Sequence, residues 1–361
     1  MRINLAESLL AKTLNWTQEE ISTERKLLQA LGDFKYNDYH QFSHGIRFIE
    51  SLMRWLKQFE TIDEKRIAYQ FVKEKLIFIS NEQMLHLVSI AFSEKVSPRI
   101  IAKSAEALKI NLYHISKIVS SDEYKANLRK SLFIGLSDGS RIDQFRRASK
   151  INNEQVYPTY SISDIKSGEM IKDLQAKYPN QKFNSVFLID DFTASGKSYF
   201  RADQKKGKIY KFFTDLFEGN KLDGLIDKNS LDIHVLFYIA TTYSINNTET
   251  SIREWQSSKS LNFRLSIDAV QLIDQSVSDE VLNDQALVDL CHKYFDSTDE
   301  TIIDSHYKVG KHGKPFLGFN ECALPLVLNH NTPNNSLPLL WLPDDKQFRG
   351  LFPRVTRHKD E

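Results

Sequence analysis

The chain has little cysteine. Its two, Cys291 and Cys322, stand in no CxxC pair and no cysteine–histidine cluster. That argues against a structural zinc site and against a disulfide framework. Long apolar runs are missing as well. The longest in the interior, VLFYIA at 235–240, is far below the roughly 18–20 residues that span a bilayer, so no membrane association is expected. The N-terminal stretch MRINLAESLLAKTLNW lacks the continuous apolar core of a signal peptide, and a soluble, cytoplasmic protein is expected. Charge of one sign is also lacking: 48 Lys and Arg against 47 Asp and Glu leave a formal +1. No global field marks the chain as a nucleic-acid binder, although local clustering stays open. At 361 residues, 41% apolar and 26% charged, the balance is that of an ordinary globular protein with two domains or one elaborated one.

Glycine and proline are scarce in residues 1–130, where only Gly32, Gly45 and Pro98 occur. FIESLMRWLKQF places Phe48, Leu52, Trp55, Leu56 and Phe59 at helical spacing. SNEQMLHLVSIAF offers Ser80 or Asn81 as a cap, and Pro98 suits the first position of the next helix. An all-α N-terminal domain over 1–130 follows, for docking a partner. With 20 Lys/Arg against 16 Asp/Glu there, a helix-turn-helix around 82–118 that contacts nucleic acid is the other reading.

From about residue 131 the texture changes. SLFIGL, VYPTYSI, SVFLID, LDIHVLFYIA and RLSIDAVQLI alternate with helix candidates near 163–177, 207–218 and 279–295. Strands spaced by helices imply an α/β domain, 131–361, with a mostly parallel sheet flanked by helices. Residues 296–361, rich in Pro, Asn and aromatics, read as an ordered coil wrapping that sheet. Ligands of such sheets sit beyond the carboxyl ends of the strands. Two loops lie there, GLSDGSR and DDFTASGKS.

The stretch VFLIDDFTASGKS, 186–198, ends in GKS like a triphosphate-binding loop. That motif needs a leading glycine five residues before Gly196, where this chain has Asp191. A carboxylate there repels phosphate, so the triphosphate reading fails. As one unit the stretch gives a buried strand, two acids at its exposed end, and a small-residue turn leading into a helix. Backbone N–H groups from Thr193 to Ser198 can cradle one phosphate. Asp190 and Asp191 can accept from vicinal hydroxyls and hold hydrated Mg²⁺. A phosphate at one end and a diol at the other describe a ribose 5-phosphate.

The run Val186-Phe187-Leu188-Ile189, Asp190-Asp191, Thr193-Ala194-Ser195-Gly196-Lys197-Ser198 resembles the PRPP-binding motif of type I phosphoribosyltransferases. The resemblance implies an enzyme that binds PRPP or a nucleotide with Mg²⁺ and moves phosphoribosyl to or from a nitrogenous base. Asp190 and Asp191 would hold diol and metal through water, and residues 193–198 the 5-phosphate. It also implies an upstream pyrophosphate loop, matched by Ser137, Asp138, Gly139, Ser140 and Arg141, which read equally well as a surface turn on Asp138-Gly139. Asp138 suits such a loop only if it binds metal. A mobile closing loop is implied between the two, best matched by SKINNEQVYPTY at 149–160. RADQKKGK, 201–208, departs from the pattern by interrupting the expected helix, and reads as a solvated loop.

HNTPNNSLPLLW, together with the loops above, is similar to phosphoribosyltransferase-like proteins of bacterial anti-phage operons, some beside retron reverse transcriptases. That likeness implies a defence effector whose helical or winged-helix part docks an operon partner, protein or nucleoprotein. A homodimer is compatible with it. His330 and Asn331 would line the acceptor pocket, or merely fix the tail through a Pro/Asn turn. The thin cationic content of 149–160 keeps a second function open, a non-catalytic ribose-phosphate sensor acting through the helical domain.

Overall fold

The computed structural model describes residues 3–219, 221–299, 302–303, 307–311 and 313–354, with side chains from residue 5. Seven strands occur among them: β1 (Ile77–Ile79), β2 (Ser131–Gly135), β3 (Val156–Tyr157), β4 (Ser185–Thr193), β5 (Asp232–Thr241), β6 (Arg264–Ile273) and β7 (Leu326–Leu328). Contacts group the chain into two units, 1–83 with 274–361, and 84–273. The grouping falls elsewhere than residue 130. The helix Ser97–Leu108 goes with the sheet because Lys103 Nζ reaches Asp232 Oδ2 at 2.8 Å and Ser185 Oγ at 2.8 Å.

In the first unit, helices Gln18–Phe34 and Ile62–Glu74 each start with a capping box, Thr17 with Glu20 and Thr61 with Glu64. These reciprocal bonds satisfy N–H groups that a helix start leaves over. The helix Phe48–Leu56 buries Phe48, Leu52, Trp55 and Leu56, as its spacing predicts. The C-terminal segment, expected as a coil wrapping the sheet, groups with this helical unit. Trp55 Nε1 donates to Leu339 O at 2.9 Å, Ser51 Oγ to Leu351 O at 2.7 Å, and Tyr39 OH to Phe352 O at 3.0 Å. Irregular backbone can be buried only if its carbonyls find such donors. A short parallel ladder of β1 on β7 adds strand to a region expected to be all helix.

In the second unit, five parallel strands run in the order β3-β2-β4-β5-β6. Their side chains alternate between faces. Leu132, Ile134, Val186, Leu188, Ile233, Val235 and Phe237 pack with Met170, Ile209, Phe213 and Trp255 from the crossover segments. On the opposite face Phe133 stacks on Phe187 at 5.0 Å and meets Phe145 at 5.6 Å. The fold class is therefore α/β, a parallel sheet flanked by helices. Residues 81–108 stay helical throughout, with a π-helical segment at Phe92–Val96 where a helix-turn-helix could have broken. Six residues, 109–114, then separate Leu108 from the helix Ile115–Ser120, longer than the about 3–4 of that motif's turn.

Candidate ribose-phosphate site

β3 lies on one side of β2 and β4 on the other, so the winding reverses between β2 and β4. Ligands of open parallel sheets gather outside the carboxyl ends at such a reversal. Gly135 of β2 pairs with Ile189 of β4, which sets Ser137 beside the acid pair. A Cβ on Gly135 would meet Ser140 Oγ at 2.6 Å, so the loop after β2 curls back over its own strand.

Asp190 is fully buried. Its Oδ1 accepts from Ser137 Oγ and from Asp191 N at 3.2 Å. Its Oδ2 accepts from Lys208 Nζ at 2.7 Å, and the Tyr199 hydroxyl lies 2.9 Å from both that oxygen and Phe192 O. Burial and the neighbouring Asp191 push its carboxyl above the ordinary range, while Lys208 and Ser137 pull it back. Burial likewise raises the Tyr199 hydroxyl, with Asp190 adding to it, so this tyrosine stays a neutral donor.

Asp191 is half-buried. A Cβ on Gly139 would fall 2.5 Å from Asp191 Oδ2, so the missing side chain of Gly139 is what admits the carboxylate. Tyr238 OH donates to Ser140 O at 2.7 Å and fixes the same loop from β5. The two loops singled out in the sequence thus meet. Ser140 is buried, Asp138 is exposed, and Arg141 takes a left-handed backbone, φ 45°.

The loop after β4 has a distinct polarity. Its carbonyls are spent on the helix Thr242–Ser258 and its cap: Ser244 Oγ lies 3.2 Å from Thr193 O, Thr241 Oγ1 donates to Ala194 O at 2.7 Å, and Asn247 Nδ2 to Ser195 O at 3.0 Å. Its N–H groups are largely unspent. Those of Gly196 and Lys197 reach only hydroxyls at 3.3 and 3.4 Å, and among the described residues Ser195 N and Ser198 N meet no acceptor. Consecutive N–H groups left over this way form an anion-binding nest. Gly196 has φ +75°, and a Cβ there would lie 2.3 Å from Thr248 Oγ1.

The helix expected directly after this turn is absent. Residues 194–199 are bends and turns, and a short hairpin, Arg201 with Lys206, comes before the helix Lys208–Phe213. Tyr199 is buried and bonded to the strand end, which turns the chain aside. The segment expected to close over the site is pinned instead. Gln155 Nε2 donates to Leu128 O at 2.7 Å and Ser131 O at 2.9 Å, and Val156–Tyr157 forms edge strand β3. His330 and Asn331 belong to the other unit, where Gln41 Nε2 donates to His330 O at 2.8 Å and Asn331 Oδ1 at 3.0 Å.

A metal held by Asp190 does not fit its surroundings. A carboxylate has about four lone-pair sites, and those of Asp190 face four donors, one of them shared and one an ammonium. Among the described residues no group of three His, Cys, Asp or Glu side chains is placed to hold a metal.

The family model PRTase-CE matches residues 52–354. The chain belongs to this phosphoribosyltransferase-like family. The match includes both loops of the site and reaches into the helical unit, so the PRTase-CE region is more than the five-stranded sheet. No curated protein and no solved structure matches the chain. No described helix of this PRTase-CE chain is long and apolar enough to cross a membrane. Lys208, Tyr199 and Tyr238 complete the site without having been legible as part of it. Their only signal was a basic insertion and two tyrosines beside the strand ends.

Proposed function

We propose that the crevice binds the 5-phosphoribosyl group of PRPP or a nucleotide, and that the chain transfers this group to a nitrogenous base or removes it from one. The observation that carries the reading is the 193–198 loop, most of whose carbonyls are spent and whose N–H groups are largely not, beside a half-buried carboxylate at the sheet's reversal point. One end of such a crevice suits a single phosphate and the other a diol.

In this reading the loop 193–198 holds the 5-phosphate, and Asp191 accepts from the ribose hydroxyls. Ser137, Gly139, Ser140 and Arg141 face the leaving pyrophosphate. As the C1–O bond loosens, positive charge develops on the sugar, and catalysis is positioning with charge stabilisation more than proton transfer. Mg²⁺, which binds readily through substrate phosphates, would come with the pyrophosphate. The defence role and the operon partner rest on the sequence likeness to anti-phage proteins, and the cytoplasmic setting on the short apolar runs and the N-terminal stretch without a signal-peptide core. Pyrophosphate release from PRPP by the full chain, across a panel of bases, tests the activity. No release with any base would remove the transferase reading in the forward direction; unchanged nucleotide pools after induced expression, followed by mass spectrometry, would remove the reverse one.

The second reading is a sensor that binds the same ligand without turning it over. The pinned segment 149–160 favours it, because a closing loop is what such chemistry uses to exclude water. PRPP binding without pyrophosphate release, and with unchanged nucleotide pools, is its signature.

A further inference from the structure

The insertion 201–208 has a specific structural consequence. Arg201 and Lys206 exchange backbone bonds, Arg201 N to Lys206 O at 2.9 Å and Lys206 N to Arg201 O at 3.1 Å. The chain then crosses Tyr199 so closely that a Cβ on Gly207 would lie 2.2 Å from Tyr199 O, with Gly207 at φ +115°. Lys208 N bonds to Ser198 O at 3.3 Å, and Ile209 N to Tyr199 O at 3.0 Å. The hairpin therefore delivers the first residue of the next helix back to the end of the phosphate loop. From there Lys208 Nζ reaches Asp190 Oδ2 at 2.7 Å and stands 5.1 Å from the centre of the Tyr199 ring. Its side chain is 30% exposed while Asp190 is wholly buried.

We propose that Lys208 is the resident cation of this site. Its ammonium occupies the place on Asp190 that a divalent metal would take, so the chain holds ribose phosphate without a protein-bound metal. The inference rests on the ribose-phosphate reading. It divides the acid pair, with Asp190 and Lys208 forming an internal ion pair and Asp191 facing the ligand. An ammonium carries three donors and Asp190 accepts one of them, so Lys208 is also placed to donate to the ligand from its exposed side. A lysine at the start of a helix is a tethered, single charge, unlike a metal that exchanges with solvent.

Ribose 5-phosphate is the suitable probe, since PRPP carries its own metal-chelating pyrophosphate. Calorimetric titration of the full chain is run with EDTA and with Mg²⁺, for wild type, Lys208→Met and Lys208→Arg, each checked for a cooperative melt. Wild-type affinity is expected to change less than about threefold on metal removal. Lys208→Met is expected to lose at least roughly tenfold in EDTA, the scale of an unpaired buried charge, and to recover in part with Mg²⁺. Lys208→Arg should stay near wild type. In parallel, Mn²⁺ titration followed by electron paramagnetic resonance should show a site gained in Lys208→Met and absent in wild type. Equal Mg²⁺ dependence in wild type and Lys208→Met would overturn the proposal, as would a Mn²⁺ site already present in wild type or missing from Lys208→Met. If ribose 5-phosphate binds none of the proteins, the ligand reading falls, and the Mn²⁺ comparison alone decides the role of Lys208.

Discussion

Asp232 opens β5 at the amino end of the sheet, and Asp190 stands near the carboxyl end of β4. Both carboxylates are buried, yet they are treated differently. Asp232 has two cations, Lys103 Nζ at 2.8 Å and Arg264 Nε at 2.5 Å. Burial works against its charge, but Arg264 and Lys103 hold it below the ordinary carboxylate range. Asp190 has one cation and a second acid beside it, and burial with that neighbour lifts it above the range. The amino end is compensated by two cations. The carboxyl end keeps a strained charge balance, with unspent N–H groups nearby, and such imbalance clusters where a protein does chemistry.

The largest break in this comparison comes from Lys103→Met. It takes one of two cations from a buried carboxylate and should cost about 3 kcal/mol in urea unfolding, with ribose 5-phosphate affinity unchanged in the fraction that stays folded. Gly196→Val attacks the other end. A branched side chain at φ +75° that also overlaps Thr248 costs about 1–2 kcal/mol from the backbone alone. It should abolish ribose 5-phosphate binding, read by the same titration. Asp191→Asn then sharpens the contrast, because it removes the charge that opposes Asp190. It should raise stability by about 0.5–1 kcal/mol while weakening ligand binding, and a loss of both stability and binding would make Asp191 a structural residue.

A fourth effect is one of pH. His234, stacked on Phe187 at 4.5 Å, is pushed down to about 4 by burial, with Arg99 and Lys103 adding to this and Asp232 and Asp268 opposing it. Its folded value lies below the ordinary 6.5, so the unfolded chain takes up the proton first. The neutral imidazole's contribution is full above about pH 6.5 and is lost as pH falls through 6.5 toward 4. Unfolding free energy measured across that window should fall less in His234→Phe than in wild type.

The sequence carried much of this sheet and half of the site. Its strand runs alternate with helical stretches, and both carboxyl-end loops were legible because strand ends, adjacent acids and small-residue turns are local signals. What stayed hidden is non-local. Lys208 meets Asp190 only because Gly207 lets the chain recross Tyr199, and a basic octet in sequence gives no sign of that return. The same holds for Val156–Tyr157, whose edge pairing depends on β2 and on Gln155 finding two carbonyls. It holds too for the proline- and asparagine-rich tail, whose place is set by buried donors such as Trp55 nearly three hundred residues away in sequence. Periodicity finds elements; it does not find which backbone carbonyl a distant side chain will satisfy.

Ligand binding at this site depends on the 193–198 loop as a phosphate cradle beside Asp191. Calorimetric titration of ribose 5-phosphate into the full chain, compared with Gly196→Val and Asp191→Asn shown to be folded, tests that claim most directly. Saturable one-to-one binding in the wild type, absent in Gly196→Val and weakened in Asp191→Asn, is the predicted result. No binding to wild type, or equal binding to all three proteins, would contradict it.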